Sequence, residues 1–184
     1  MLVIEGADCV GKSTLVKKLA KIFKNKGLSV TQSHLGAEAS QWTVGDYVKC
    51  IQRWHIQDRF HLSERAYGEV FRNGPKLSEN EIKLLTAKIK ELGGIVLVIT
   101  TGAGLYNRLL SKYHSTRPEM YDDFYALDRV NTIYKNMSNK MYTNKFYITC
   151  DEQGTIHWPS DSLLEDLARM YMRLSVNIGR MGSL

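Results

Sequence analysis

The stretch Gly6-Ala7-Asp8-Cys9-Val10-Gly11-Lys12-Ser13-Thr14 fits the pattern G-x-x-x-x-G-K-[ST]. Residues of these types at this spacing can hold a polyphosphate. Gly6 and Gly11 let the backbone wrap closely around the anion. Successive N–H groups then point inward, and a following helix adds the partial positive charge of its N-terminus. Lys12 can reach the β- and γ-phosphates of a nucleoside triphosphate, and the Ser13 hydroxyl can take one position around Mg²⁺. A second dense cluster runs from Asp58 to Arg72. Phosphoryl transfer needs a carboxylate near the metal or the attacking oxygen, and a guanidinium on the transferring group. The adjacent Asp58 and Arg59 supply both. Asp58 can hold the metal through water or accept a proton from an attacking hydroxyl. Arg59 can stabilise charge on the equatorial oxygens. A purely structural Asp–Arg ion pair is the competing reading.

The surrounding pattern must position these groups. Leu2 to Glu5 form a short apolar run suited to a buried strand, and Leu15, Val16, Leu19, Ala20, Ile22 and Phe23 recur at helical spacing after the loop. Strand, glycine-rich loop and helix therefore follow in the order a phosphate cradle requires. Gly27 reads as the stop of that helix. Leu28 to Leu35 predicts a second strand, Gly36 to Gln41 a loop carrying Glu38, and Val44 to Ile51 a short helix. Trp54 and Ile56 continue as a strand towards Asp58. Leu62, Ala66, Val70 and Phe71 mark a helix that ends at Asn73-Gly74-Pro75. Ser78 and Glu81 form a capping box ahead of the next one. Ile95 to Thr100 is the most apolar strand, as expected in the middle of a parallel sheet. Helical stripes follow over 105–113 and 124–137. Phe146–Cys150 and Thr155–Trp158 predict a late strand with a hairpin return. A last helix carries Leu163 to Leu174, and residues 179–184 read as a loose tail. Alternating strands and helices imply an α/β fold with a mostly parallel sheet, its functional edge at the C-terminal ends of the strands.

The chain has 184 residues with 43% hydrophobic and 24% charged, which suits one globular domain over residues 1–184. No apolar run approaches the ~20 residues of a membrane span. Cys9, Cys50 and Cys150 show neither zinc spacing nor a disulfide framework, so reduced thiols and a cytoplasmic setting are expected. The net charge of +6 is compatible with a polyanionic partner. Lys17, Lys18, Lys21, Lys24 and Lys26 crowd the first helix and read as a solvated face.

Ile4-Glu5-Gly6-Ala7-Asp8, with Gly11-Lys12-Ser13-Thr14, resembles the opening of thymidylate kinases and related deoxynucleoside kinases. Asp58-Arg59 resembles their Asp-Arg motif. The longer run Asp58-Arg59, His61, Ser63-Glu64, Tyr67-Gly68 and Arg72 is similar to small phage-encoded thymidylate kinase-like proteins. The resemblance is good over residues 1–72 and rests afterwards on the order of elements. It implies a P-loop NTPase fold of three α/β/α layers with a five-stranded sheet, mostly parallel, plus the late hairpin. It also implies Mg²⁺ and ATP as donor, with a nucleotide-like acceptor. Asp8 would contact the acceptor sugar and Arg59 would lie by the phosphates. Asp8, His34, Glu38, Ser63, Glu64, Tyr67 and Arg72 would form the acceptor side, and Arg108, Lys112 and Arg117 a short lid around 112–120.

Two departures bear on the acceptor. The Arg-Glu-Pro-Gly-Gly stretch of thymidylate kinases is replaced by Ser33-His34-Leu35-Gly36-Ala37-Glu38. Only roughly two dozen residues separate it from Asp58, enough for one short helix and a strand. An open acceptor side on a basic protein favours the hydroxymethyl group of 5-hydroxymethyluracil in DNA. Tyr67, Trp42 or Trp54 would then be available to receive the flipped base. The alternative is a kinase acting on free dTMP or a close analogue. A third reading, a nucleotide-dependent binding module, would not need Asp58 and Arg59 together.

Overall fold

The computed structural model describes residues 1–114, 123–150 and 155–181. Among these residues six strands form one sheet: β1 (Leu2–Gly6), β2 (Thr31–His34), β3 (His55–Asp58), β4 (Ile95–Thr101), β5 (Asn144–Cys150) and β6 (Ile156–His157). Their order is β2-β3-β1-β4-β5-β6. The first five run parallel, and β6 returns antiparallel on β5, as the hairpin pattern predicts. β1 and β4 lie side by side in the middle and are buried at every position. Their unbroken apolar runs have this cause: a central parallel strand is covered on both faces.

Among the described residues seven α-helices flank the sheet: α1 (Lys12–Asn25), α2 (Val44–Lys49), α3 (His61–Phe71), α4 (Glu79–Glu91), α5 (Ala103–His114), α6 (Phe124–Asn136) and α7 (Asp161–Met181). α1 packs on β1, β3 and α7, whereas α3, α4 and α6 pack on β1 or β4 and α5 on α6. α1 buries Leu15, Val16, Leu19 and Phe23 and leaves Lys17, Lys18, Lys21, Lys24 and Lys26 in water. The Ser78–Glu81 capping box opens α4 in both directions. Thr43 and Asp46 make a second box at the short α2. Among the described residues no helix is long and apolar enough to cross a membrane.

Three expectations need correction. β2 is shorter than 28–35 and exposed along its length, because it is the edge strand; Leu28 and Val30 pack on the core from the connection before it. Residues 37–41 form a 3₁₀ helix rather than an irregular loop. α7 continues to Met181, so Gly179–Met181 are helical; residues 182–184 lie outside the described residues.

Candidate active site

β1, β2 and β3 end at Gly6, His34 and Asp58 along one edge of the sheet, with Asp58 opposite both Ile4 and His34 in register. The glycine-rich loop leaves β1 there. Gly6 has φ +152, and a Cβ on it would collide with the Ile99 carbonyl of β4. Gly11 has φ +82, and a Cβ would strike the Trp158 ring, which rests against the loop from beyond β6. Both glycines are required by close approach and by backbone angle together. Cys9 also takes a positive φ, 64°. Burial pushes its thiol up to about 11, against the opposing pull of Lys12.

Lys12 opens α1 and is buried, with Nζ donating to the Ala7 carbonyl at 2.7 Å and 4.0 Å from Asp8 Oδ1. Burial pulls its ammonium below the ordinary range; the Asp58 and Glu5 carboxylates pull it back up. Beside it, Ser13 Oγ donates to Asp58 Oδ2 at 2.9 Å, and His34 Nδ1 lies 3.5 Å from the same oxygen. Asp58 Oδ1 is buried and has no hydrogen-bond partner among the described residues. The loop hydroxyl and the strand-end carboxylate, 45 positions apart, are thus brought together.

Arg59 follows with φ +64, an angle uncommon outside glycine, and its N–H donates to the Ile4 carbonyl. This turns its side chain back over the loop. The guanidinium pairs with Asp8 and lies 4.5 Å from the centre of the Tyr67 ring, whose hydroxyl donates to Asp8 Oδ2 at 3.0 Å. Asp8, Arg59 and Tyr67 therefore form one cluster between the loop and α3.

Behind that cluster is a cavity of about 320 Å³. Leu35, Ala39, Tyr47, Phe60, Tyr67 and Phe71 give it apolar walls; Arg59 and Ser63 line it too, as do Glu64 and Arg72. Glu64 is buried and accepts from Arg72 Nη2 at 2.7 Å. The Tyr47 hydroxyl is buried without a partner among the described residues. Aromatic walls with a few placed polar groups are the composition of a small-molecule site.

Sequence reasoning missed Glu5. It sits in β1 with no exposure, and its Oε1 accepts from the N–H groups of Phe60 and Leu62 at 2.9 Å each. Its Oε2 accepts from Ser63 Oγ at 2.6 Å and from Tyr134 Oη at 3.1 Å. It thereby ties β1 to the start of α3 and to α6. The only signal was a carboxylate inside a buried strand. Ser63 is consumed in this network as much as it lines the cavity. Burial raises the Glu5 carboxyl above its ordinary 4.5, against the pull of the Ser63, Leu62, Tyr134 and Phe60 donors. The folded chain thus holds this proton more tightly than the unfolded chain. The resulting stability is full below the unfolded value and is lost as pH rises through the folded one. Urea denaturation between about pH 4 and 8 should show the parent chain losing stability relative to Glu5→Gln, which cannot titrate. Parallel pH profiles would contradict this.

Other expected residues are placed differently. Glu38 Oε1 accepts from its own turn at Gly36 N–H, 2.9 Å, and does not line the cavity. Trp54 cannot receive a base here. It precedes β3 at the opposite end of the sheet and packs edge-on to Tyr171, 5.7 Å away. Trp42 packs behind Tyr47 at 5.2 Å. Arg108 and Lys112 lie on α5, which leaves β4 at the same sheet edge; Arg117 and residues 115–122 lie outside the described residues.

No family model matches the chain. It is 22% identical over 168 residues to the SPbeta prophage-derived protein YorR of Bacillus subtilis (strain 168), covering 91% of this chain and 96% of that protein. The crystal structure of YorR in complex with phosphorylated GDP matches with a TM-score of 0.68 at 22% identity, over 93% of this chain and 95% of YorR. The likeness shows a shared α/β fold.

Proposed function

We propose that this protein is a P-loop phosphotransferase that moves the γ-phosphoryl group of ATP to a pyrimidine deoxynucleotide. The observation that carries the reading is the 2.9 Å bond from Ser13 to Asp58, beside buried Lys12 and next to the 320 Å³ aromatic cavity. An anion loop and a base-sized cavity share Arg59 between them. The nucleotide in the YorR crystal supports a nucleotide in this fold. A mere binding module would have no use for the Asp58–Arg59 arrangement.

In this reading the N–H groups of residues 6–14, Ala7, Asp8, Cys9, Val10 and Thr14 among them, cradle the donor phosphates. Lys12 exchanges the Ala7 carbonyl for a phosphate oxygen. Ser13 Oγ and Asp58, with its unpartnered Oδ1, offer the hard oxygen donors that suit Mg²⁺. When bound, the ion neutralises charge on the β- and γ-phosphates. The acceptor oxygen attacks the γ-phosphorus, the bond to the β-bridging oxygen breaks, and ADP leaves. If the acceptor is a hydroxyl, Asp58 takes its proton. Arg59 holds the equatorial oxygens, and Arg108, Lys112 and Arg117 supply the cations of the lid.

From Ser63 to Arg72 the α3 axis runs about 14 Å at 1.5 Å per residue. A base held near Phe71 and Arg72 would keep its sugar and 5′ end towards Arg59 and Asp58. That favours a free nucleotide such as dTMP. The 5-hydroxymethyluracil reading is favoured by one observation. Asp8 is neutralised by Arg59 and Tyr67, so it would not repel a 3′-phosphodiester. The test is transfer of labelled γ-phosphate to dTMP, dUMP, thymidine, plain duplex DNA and duplex DNA containing 5-hydroxymethyluracil. Label on a free deoxynucleotide is expected. Label on modified DNA alone would reverse the order, and ATP binding with no transfer would leave the binding module.

A further inference from the structure

The outer face of α1 carries positive charge that the described residues leave uncompensated. From Lys12 to Asn25 the helix contains no Asp or Glu. Lys17, Lys21 and Lys24 stand at i, i+4 and i+7, so they form one row with about 5–6 Å between neighbours. All three are exposed, and none has a side-chain partner among the described residues. Lys18 differs: it lies off the row and pairs with Asp161 at the start of α7, 3.1 Å away. Beside the row runs a groove of about 520 Å³. Lys21 and Lys24 line it from α1 and Gln32 from β2, while the half-buried Ala20, Leu28 and Val30 form its apolar floor. No carboxylate lines it. Side chains alternate across a strand, so Gln32 shares its face of β2 with His34, which is opposite Asp58 in register. His34 Nδ1 lies 3.5 Å from Asp58 Oδ2, so the groove points along β2 to the candidate active site.

We infer that the row Lys17, Lys21 and Lys24, with the groove beside it, binds the sugar–phosphate backbone of a single DNA strand. Lysine ammonium groups are point charges on flexible stems, and they hold phosphates without reading sequence. Their spacing suits neighbouring phosphates of one strand, and each contact releases a condensed counterion. The Gln32 amide can donate to a phosphate or sugar oxygen. No aromatic side chain lines the groove, so it offers no stacking platform, and binding is indifferent to the bases. A single row of cations answers one strand; the second strand of a duplex meets no matching row on α1. An anionic membrane fits less well. Insertion needs protruding apolar side chains, and none of the exposed large apolar residues lies between 12 and 34. The choice of DNA rests on the deoxynucleotide acceptor proposed above; the surface itself does not depend on phosphoryl transfer.

The experiment is fluorescence anisotropy of a labelled oligothymidylate of about 12 nucleotides. A duplex of the same length, oligouridylate and phosphatidylserine vesicles are compared with it. The parent chain should bind the single DNA strand most tightly. Its affinity should fall roughly fifteenfold for about a fourfold rise in salt, the slope near −2 that three phosphates on a single strand give. The triple variant Lys17→Gln, Lys21→Gln, Lys24→Gln should lose most of that slope and about tenfold or more in affinity at low salt. Gln is close to Lys in helix propensity, so melting and ATP binding should not change. A control triple, Lys88→Gln, Lys135→Gln, Lys140→Gln, removes the same charge from α4, α6 and the 3₁₀ turn at 139–141. It should bind the oligonucleotide within about twofold of the parent, because screened charges act locally. Lys21→Glu, which reverses one charge in the row, decides the matter if the first triple does not fold. Equal weakening in the two triples would reduce the effect to net charge and overturn the inference. So would tighter binding of duplex, oligouridylate or vesicles, or no binding by the parent chain. Transfer to dTMP with no strand binding would sink this inference and leave the phosphotransferase. Strand binding lost in the first triple, without transfer to any acceptor, would sustain it and sink the phosphotransferase reading.

Discussion

Lys12→Ala is expected to lower phosphoryl transfer by on the order of a hundredfold or more, the scale of removing one preorganised charge-stabilising group. Lys12 is buried at the start of α1 and bonded to the Ala7 carbonyl, so its ammonium is held where a γ-phosphate oxygen would be met. The backbone N–H groups of the loop remain in the variant, so ATP affinity should fall less than turnover does. Calorimetry for ATP and a γ-phosphate transfer assay separate the two effects. The loss of a buried, partly desolvated cation should not unfold the chain, and a thermal melt checks this. Near-normal turnover in a folded Lys12→Ala chain would sink the assignment of the loop.

The next largest effects should come from Asp58→Asn and Arg59→Lys. Asn at 58 can still accept from Ser13 Oγ, so the sheet edge keeps its geometry. It loses the negative charge needed to organise the metal or take a proton, and a fall of about a hundredfold in kcat is expected, as for other electrostatic or acid–base groups. Lys at 59 retains charge but cannot lie flat over Tyr67 or present a planar fork to phosphate. Its loss should appear in kcat at saturating ATP. Full activity of both variants, with unchanged melting, would make the pair structural. Glu38 is a poor substitute, because it bonds back to Gly36, and Glu64 is committed to Arg72 and Lys76.

Local pattern alone determined the glycine-rich loop, the buried β1 and β4, the Ser78 capping box and the β5–β6 return. Each is legible because neighbours in the chain are neighbours in space, so periodicity reports burial directly. The Asp58–Arg59 pair was legible by type, but its meaning depended on Ser13, 45 positions away. Tertiary structure decided the rest. Glu5 looked like one residue of an apolar strand until Phe60, Ser63 and Tyr134, up to 129 positions distant, converged on it. Trp158 gave no hint that it would press on Gly11. β2 read as a longer strand because the chain does not record that it lies on the sheet's edge. The cavity has no sequence pattern at all. It is the space left where residues 35–40, Tyr47 and α3 are brought together by the order of the sheet, and a void between separate elements has no periodicity along any one of them.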